Sequence, residues 1–337
     1  MKKQILILPL PLPLLAGCTA KQPEPLPCTP GEAQRLVVYT SHKEEVYTPI
    51  IREFEERTGI WVDVVSGGTN ELLQRIQQEA DAPKADVMFG GGVESLESYQ
   101  DCFSPYICRE AAGISEQFQA ESGYWTPFSA LPVVLVYNTK LVAPESLTSW
   151  KDLESPAFRG KIAFADPQIS GSSYTALVTR LQTGCGMEDS LTRLCTALDG
   201  KQLDSSGAVL TAVADGSALV GITLEETALQ HIAAGEDIAL VYPSDGTSCV
   251  PDGSALVKGA PHGDNARLFL DFTVSTDVQS MVGQRFCRRT VRADIPADPS
   301  LPPLSTLNMV SYDVEWASQT RDRLLSEWSF LLGEVPS

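Results

Sequence analysis

Apolar residues recur along this chain with two periods, and the two take turns. Leu36-Val37-Val38-Tyr39 is a short apolar run of strand character, and Val46, Ile50, Ile51 and Phe54 then fall on one face of a helix that Thr58-Gly59 stops. Residues 60–65 predict a second strand, and Leu72, Leu73 and Ile76 a second helix. Residues 85–89 predict a third strand, ended by Gly90-Gly91-Gly92 ahead of a helix over 94–99. Leu131-Pro132-Val133-Val134-Leu135-Val136-Tyr137 is a long apolar strand with no helix before it, so residues 125–141 read as a passage between two halves.

The second half repeats the pattern. Lys161-Ile162-Ala163-Phe164-Ala165-Asp166-Pro167 predicts a strand, and Ser170-Gly171-Ser172-Ser173 opens a helix carrying Tyr174, Leu177, Val178 and Leu181. Leu203-Asp204-Ser205-Ser206-Gly207 precedes an alanine-rich helix, residues 218–223 predict a strand, and Leu224-Glu225-Glu226 leads into another helix. After a strand over 238–242 and the turn-rich Pro243-Ser244-Asp245-Gly246-Thr247, residues 250–258 regain strand character and carry the chain back to the first half. Helices are expected over 265–272, 276–282 and 316–332. Alternating strands and helices predict an α/β fold with a largely parallel sheet. A chain of roughly 300 residues is long for one core, so two lobes are expected.

The N-terminus sets the compartment. Lys2 and Lys3 precede an apolar stretch over 5–15, and Leu15-Ala16-Gly17-Cys18 is a small-residue processing site ending in cysteine. Pro9, Pro11 and Pro13 and the shortness of the run argue for a lipoprotein signal peptide over 1–17 rather than a membrane span. Cys18 is the expected lipidation site, and residues 18–33, with Pro23, Pro25, Pro27 and Pro30, the extended tether. The expected location is extracytoplasmic, on the bacterial cell membrane through that lipid anchor.

The formal net charge of −18 argues against nucleic acid as a partner, because a polyanion would be repelled over most of the surface. It leaves room for a small anionic ligand, since oriented backbone N–H groups set the potential inside a cleft. Besides Cys18 there are seven cysteines. Cys102 with Cys108 and Cys185 with Cys195 stand close enough to bridge local loops, Cys249 and Cys287 could join distant segments, and Cys28 is left over; connectivity is not readable from sequence. No C-x-x-C pair or spaced histidine pair indicates a metal site.

In open α/β sheets ligands sit beyond the carboxyl ends of the strands, where loops feed helix N-termini with unpaired N–H donors and a positive dipole end. Ser41, Gly68, Thr69 and Gly91 in the first half are candidates for holding a phosphate or carboxylate there, and His42, next to Ser41, could donate a hydrogen bond or serve as a pH-sensitive contact. Any one of these loops alone is explained by a helix cap; three in succession are not. A secreted hydrolase would need a nucleophile beside a base, and there is no G-x-S-x-G turn, no H-E-x-x-H and no serine or cysteine evidently paired with histidine. The chain is therefore expected not to be an enzyme, and to need no cofactor.

Val38-Tyr39-Thr40-Ser41, Phe164-Ala165-Asp166-Pro167 with Ser170-Gly171-Ser172-Ser173, Val213-Ala214-Asp215-Gly216, and Tyr242-Pro243 before Asp245-Gly246-Thr247 resemble, in order and spacing, the ferric-ion-binding and hexose-phosphate-binding branch of ABC-transporter solute-binding proteins. The resemblance covers roughly residues 34–300 and implies a two-lobe, type II periplasmic-binding-protein-like fold with a hinge and a central ligand cleft. It implies one lobe from 34–130 plus 255–300, a second from 131–254, and C-terminal helices over 301–337 packing on the lobes. It also implies a monomer that delivers its ligand to ABC permease subunits; a ligand-sensing lipoprotein serving a membrane receptor would use the same fold.

Iron carriers of this branch hold Fe(III) with adjacent tyrosines late in the chain, where this sequence has Gln284-Arg285-Phe286-Cys287-Arg288-Arg289, and its only late tyrosine is Tyr312. Similarity to the hexose-phosphate binders instead assigns Ser41, Gly67, Gly68 and Thr69, and Ser170, Gly171, Ser172 and Ser173, to the anion. It places Asp204, with its neighbours Ser205 and Ser206, and Glu225 or Glu226 near the sugar hydroxyls, which a carboxylate suits by accepting two hydrogen bonds at once. Of Arg288, Arg289 and Arg292, one could reach the cleft. The ligand this implies is a phosphorylated sugar, or a related phosphoester or phosphonate.

Overall fold

The structure, a computed structural model, describes residues 30–120, 122–184 and 187–334. The expected signal peptide, Cys18, the tether as far as residue 29, Cys28 and Cys185 lie outside the described residues.

The first lobe opens with β1 (Arg35–Thr40), α1 (Glu44–Thr58), β2 (Trp61–Ser66), α2 (Thr69–Gln78), β3 (Val87–Gly92), α3 (Val93–Ser98) and a short β4 (Phe103–Ser104). The long β5 (Thr126–Asn138) leads into β6 (Ile162–Ala163), α4 (Gly171–Gln182), α5 (Met187–Leu198), α6 (Ser206–Ala214), β7 (Val220–Leu224), α7 (Glu225–Ala233) and β8 (Ile238–Val241). Then β9 (Cys249–Val257) returns to the first lobe, followed by α8 (Gly263–Thr273), α9 (Thr276–Phe286), β10 (Arg289–Thr290) and α10 (Val314–Glu334).

Helix α1 forms where the sequence reading expects it because Val46, Ile50, Ile51 and Phe54 all turn inward, with Phe54 edge-on to Phe269 of α8 at 5.1 Å. Gly59 ends it in the left-handed conformation, φ 70°, its N–H donating to the Glu55 carbonyl. A Cβ at Gly59 would meet nothing within 4 Å, so Gly59→Ala probes backbone strain alone. The expected cost is about 1 kcal/mol, read as a lower urea midpoint with an unchanged slope; an unchanged midpoint would contradict it.

The strand order is β2-β1-β3-β9-β5-β7-β6, and the sheet is mixed rather than largely parallel. Only β1 with β2, β1 with β3 and β6 with β7 run parallel; β9 pairs antiparallel with both β3 and β5. The reason lies in the two strands that enter without a crossover helix. Residues 126–132 of β5 pair with β9, while its residues 133–138 pair with β7 and β8, so one strand runs from lobe to lobe. β9 makes the return journey.

Each lobe has its own apolar core. Leu36, Val38, Phe54, Val87, Phe89 and Phe269 fill the first, and Leu135, Trp150, Phe164, Tyr174, Leu177 and Trp328 the second. Helix α5 is absent from the sequence expectations, although Leu191, Leu194, Cys195 and Leu198 recur at helical spacing and are buried there. Helix α10 packs on both α3 and α5. Neither the Cys102–Cys108 nor the Cys249–Cys287 bridge is present, and Cys195 is likewise a free thiol. Cys102 and Cys108 pack into different apolar clusters, and burial raises both thiols above their ordinary range. Among the described residues, no helix is long and apolar enough to cross a membrane.

Candidate functional site

A cleft of about 300 Å³ lies between the lobes, at the small end of the size range of small-molecule sites. From the first lobe it is lined by Ser41 and Lys43 ahead of α1, by Gly68 and Thr69 at the start of α2, and by Gly91 and Gly92 ahead of α3. From the second come Ser170, Gly171 and Ser172 at the start of α4, Asp204, Ser205 and Ser206 at the start of α6, and Glu226 and Thr227 in the first turn of α7. Helix N-termini from both lobes therefore converge on one space, each presenting N–H donors and a positive dipole end.

The closeness of the two sides is read from the glycines. A Cβ on Gly171 of α4 would lie 3.0 Å from Thr69 Oγ1 of α2, so the missing side chain lets the two helix starts approach closely. Gly91, at φ 105°, needs both its left-handed backbone and its missing side chain, because a Cβ there would come within 2.8 Å of Thr69 Cγ2. Ser170 caps α4, its hydroxyl accepting from the Ser173 N–H and lying 3.0 Å from the Ser172 hydroxyl. Ser205 caps α6 by accepting from the Ala208 N–H at 3.3 Å. The Ser41 and Thr69 hydroxyls and the Asp204 carboxylate have no side-chain partner among the described residues, which leaves them available to a ligand.

Three expected positions are not on the lining. Gly67 faces the Glu71 and Leu72 side chains of its own helix, and its N–H is taken by the Thr40 carbonyl at 3.1 Å. Ser173 is buried within the first turn of α4, where its N–H supports the Ser170 cap. Glu225 points the other way from Glu226, since consecutive helix residues are turned by about 100°. It is 1% exposed and bonded to Arg289 Nε at 2.7 Å, with the Tyr242 hydroxyl on its other oxygen.

His42 is not at an exposed helix start. Its ring is buried, 4.4 Å from the Phe89 ring and 5.1 Å from that of Phe128, with Nδ1 3.7 Å from Asp252 Oδ2. Burial, and then the Arg288 charge, push its pKa well below the usual 6.5, so the imidazole stays neutral and belongs to the floor of the cleft.

That floor is a buried ionic network. Asp252 accepts from the Ser129 N–H at 2.8 Å and hydroxyl at 2.7 Å, and from Arg288 Nη1 at 2.7 Å. Arg288 Nη2 reaches Glu226 Oε1 at 3.1 Å. Arg288 thus lines the cleft but is matched by two carboxylates, while Arg289 is held by Glu225, and Arg292 by Asp294 and Glu110. No ion pair of the described residues involves Lys43. Sequence reasoning missed Lys43, Thr175, Thr223, Thr227 and Asp252 on this lining. Asp252 had a signal: it is the one charged residue in the largely apolar run over 250–257.

The sequence profile of bacterial extracellular solute-binding proteins matches residues 36–285. Iron uptake protein A1 of Synechocystis sp. is 26% identical over 306 residues, covering 86% of this chain and 84% of that protein. The periplasmic binding protein AfuA from Actinobacillus pleuropneumoniae, solved with fructose-6-phosphate bound, is 25% identical with a TM-score of 0.83, over 89% of this chain and 99% of that one. Iron-bound HitA from Pseudomonas aeruginosa shares the fold at 22% identity and a TM-score of 0.76, over 90% of this chain and 99% of that one. The chain belongs to the bacterial extracellular solute-binding protein family, as a two-lobe, type II binding protein of the iron and hexose-phosphate branch of ABC importers. It is accordingly an extracytoplasmic, non-enzymatic transport component that binds a small ligand and delivers it to an ABC permease.

Proposed function

We propose that the ligand is a small phosphorylated anion, a hexose phosphate or a related phosphoester or phosphonate. The observation that carries this reading is the start of α2 facing the start of α4 across the cleft, with Gly171 against Thr69. Two opposed sets of backbone N–H groups, with the Ser41, Thr69, Ser170 and Ser172 hydroxyls between them, suit a tetrahedral oxyanion. Asp204 then takes the hydroxyl groups of the organic half, with Lys43 at the cleft supplying a positive charge. The likeness to a protein solved with fructose-6-phosphate supports the same choice.

The iron carriers among the relatives give the second reading. It fits this cleft less well: none of its lining residues is a tyrosine, and the described residues contain no group of three or more His, Cys, Asp or Glu placed to hold a metal. In this proposal Cys18 anchors the chain to the membrane, lobe 1 comprises residues 34–130 plus 255–300, lobe 2 residues 131–254, and the C-terminal segment packs on both.

A thermal-shift screen decides between the readings. Fructose 6-phosphate or glucose 6-phosphate, at about a hundred times its Kd, is expected to add about 2.7 kcal/mol to the stability and raise the melting temperature. If all sugar phosphates and phosphonates leave it unchanged while Fe(III) raises it, the phosphate reading is wrong.

A further inference from the structure

A further polar contact joins the lobes just beneath the cleft lining. Glu94, on α3, has no exposed surface, and its Oε1 accepts a hydrogen bond from the Thr175 hydroxyl of α4. Its Oε2 is buried with no hydrogen-bond partner. Thr175 lines the cleft directly, and the Glu94 carboxyl lies behind that lining against Gly92, where any side chain would strike it.

Among the described residues no ion pair involves this carboxyl. From α10, Arg321 acts on it at a distance, but Arg321 donates its Nη2 to the Asn70 side-chain oxygen and has Nη1 3.8 Å from the exposed Asp322. Tyr174 of α4 and Tyr312, ahead of α10, face it as neutral phenols, both raised above their ordinary range by burial. Asp252, from β9, is turned toward Arg288. The Tyr312 hydroxyl and Arg321 Nε are also buried without hydrogen-bond partners, so with Glu94 Oε2 this region holds three unmatched polar atoms. Burial, opposed by Thr175 and Arg321, leaves the Glu94 carboxyl above its ordinary range.

We propose that Glu94 is a proton-sensitive latch between the lobes: closure buries its carboxyl as the neutral acid against Thr175, so capturing ligand takes up a proton and opening releases one. When the lobes part, Thr175 leaves, water reaches Glu94, and the carboxyl ionises as an ordinary glutamate does. The sign follows from the raised value in the closed form. The latch acts in full below the ordinary carboxylate range, and is lost as pH rises through the closed-form value. Between those limits affinity falls by up to about tenfold per pH unit. Other ties between the lobes are Asn70 Nδ2 to the Gln168 carbonyl at 2.5 Å, which carries no titrating group, and the Arg288–Glu226 and Arg289–Glu225 ion pairs, which Glu94→Gln leaves in place.

The test compares wild type with Glu94→Gln, which keeps an acceptor for Thr175 and cannot ionise. The latch deepens the phosphate reading and rests on it for its probe, fructose 6-phosphate. Calorimetry repeated across about pH 4.5 to 8.5, in two buffers of different ionisation heat, should show wild type taking up more protons on binding than the variant within that range, by up to about one per ligand. The ratio of wild-type to variant Kd should rise as pH climbs from the ordinary carboxylate range to pH 8.5. Equal proton uptake and parallel pH profiles would overturn the latch.

If fructose 6-phosphate gives no heat with either protein, the ligand reading fails and the latch is read without it. Small-angle scattering of the unliganded chain should then show wild type expanding as pH rises from 5 to 8.5 while Glu94→Gln does not. Matching profiles would overturn it.

Discussion

Replacing Arg288 by alanine is expected to destabilise the protein by about 3–5 kcal/mol, because it leaves the Asp252 and Glu226 carboxylates in the cleft floor without a cation. Asp252 is 4% exposed and Glu226 6% exposed, so water cannot take over the role of the guanidinium. The loss should appear as a fall in melting temperature on the order of 5–15 °C. The cause is separable from lost packing. Arg288→Met combined with Asp252→Asn and Glu226→Gln removes the three charges together and should recover most of the stability, since no charge is then stranded. A single alanine variant within about 1 kcal/mol of wild type would mean that the network is solvated and that the floor is not a fixed structure.

The second large effect is on binding. Ser41→Ala combined with Thr69→Ala removes two hydroxyls that line the cleft and have no side-chain partner among the described residues. A hydrogen bond to a charged group contributes about 1.5–3 kcal/mol, so losing two should weaken a phosphate ligand by about a hundredfold or more. Neither hydroxyl has a hydrogen-bond partner among the described residues, so the melting temperature of the unliganded protein should be unchanged. An affinity equal to wild type by calorimetry would place the anion elsewhere. The contrast with Arg288 is useful: one variant breaks the floor, the other disarms the walls above it.

Much of this site was legible because α/β topology sends loops of one kind to one edge. Ser41, Gly68, Thr69 and Gly91, and Ser170, Gly171, Ser172, Asp204, Ser205 and Ser206, sit in loops or first turns ahead of helices, and the cleft collects all of them. The passage of β5 was legible too, in the long apolar run over 131–137 with no helix before it, and β9 in the strand character regained over 250–258 after a turn-rich segment. What escaped was set by contacts distant in sequence. Arg288 meets Asp252 from 36 residues away and Ser129 from 159, and no local pattern announces either meeting. Glu225 and Glu226 are adjacent and chemically alike; the turn of α7 alone sends one to Arg289 and the other to the cleft.

His42 shows the same limit, because its burial comes from Phe89 and Phe128, on strands that the sequence does not pair with it. The mixed sheet escaped for a related reason, since alternation of strand and helix says nothing about the direction of a strand inserted between two others. Cysteine spacing misled because Cys102 and Cys108, six positions apart, face different cores.

The central claim is that helix starts from both lobes hold one anion between them, and a crystal structure of the protein soaked with fructose 6-phosphate tests it most directly. The account predicts the phosphate in the cleft, with oxygens about 3 Å from backbone N–H groups at the starts of both α2 and α4 and from the Ser41 and Thr69 hydroxyls. A phosphate bound outside the cleft, or held by one lobe through side-chain cations alone, would contradict it.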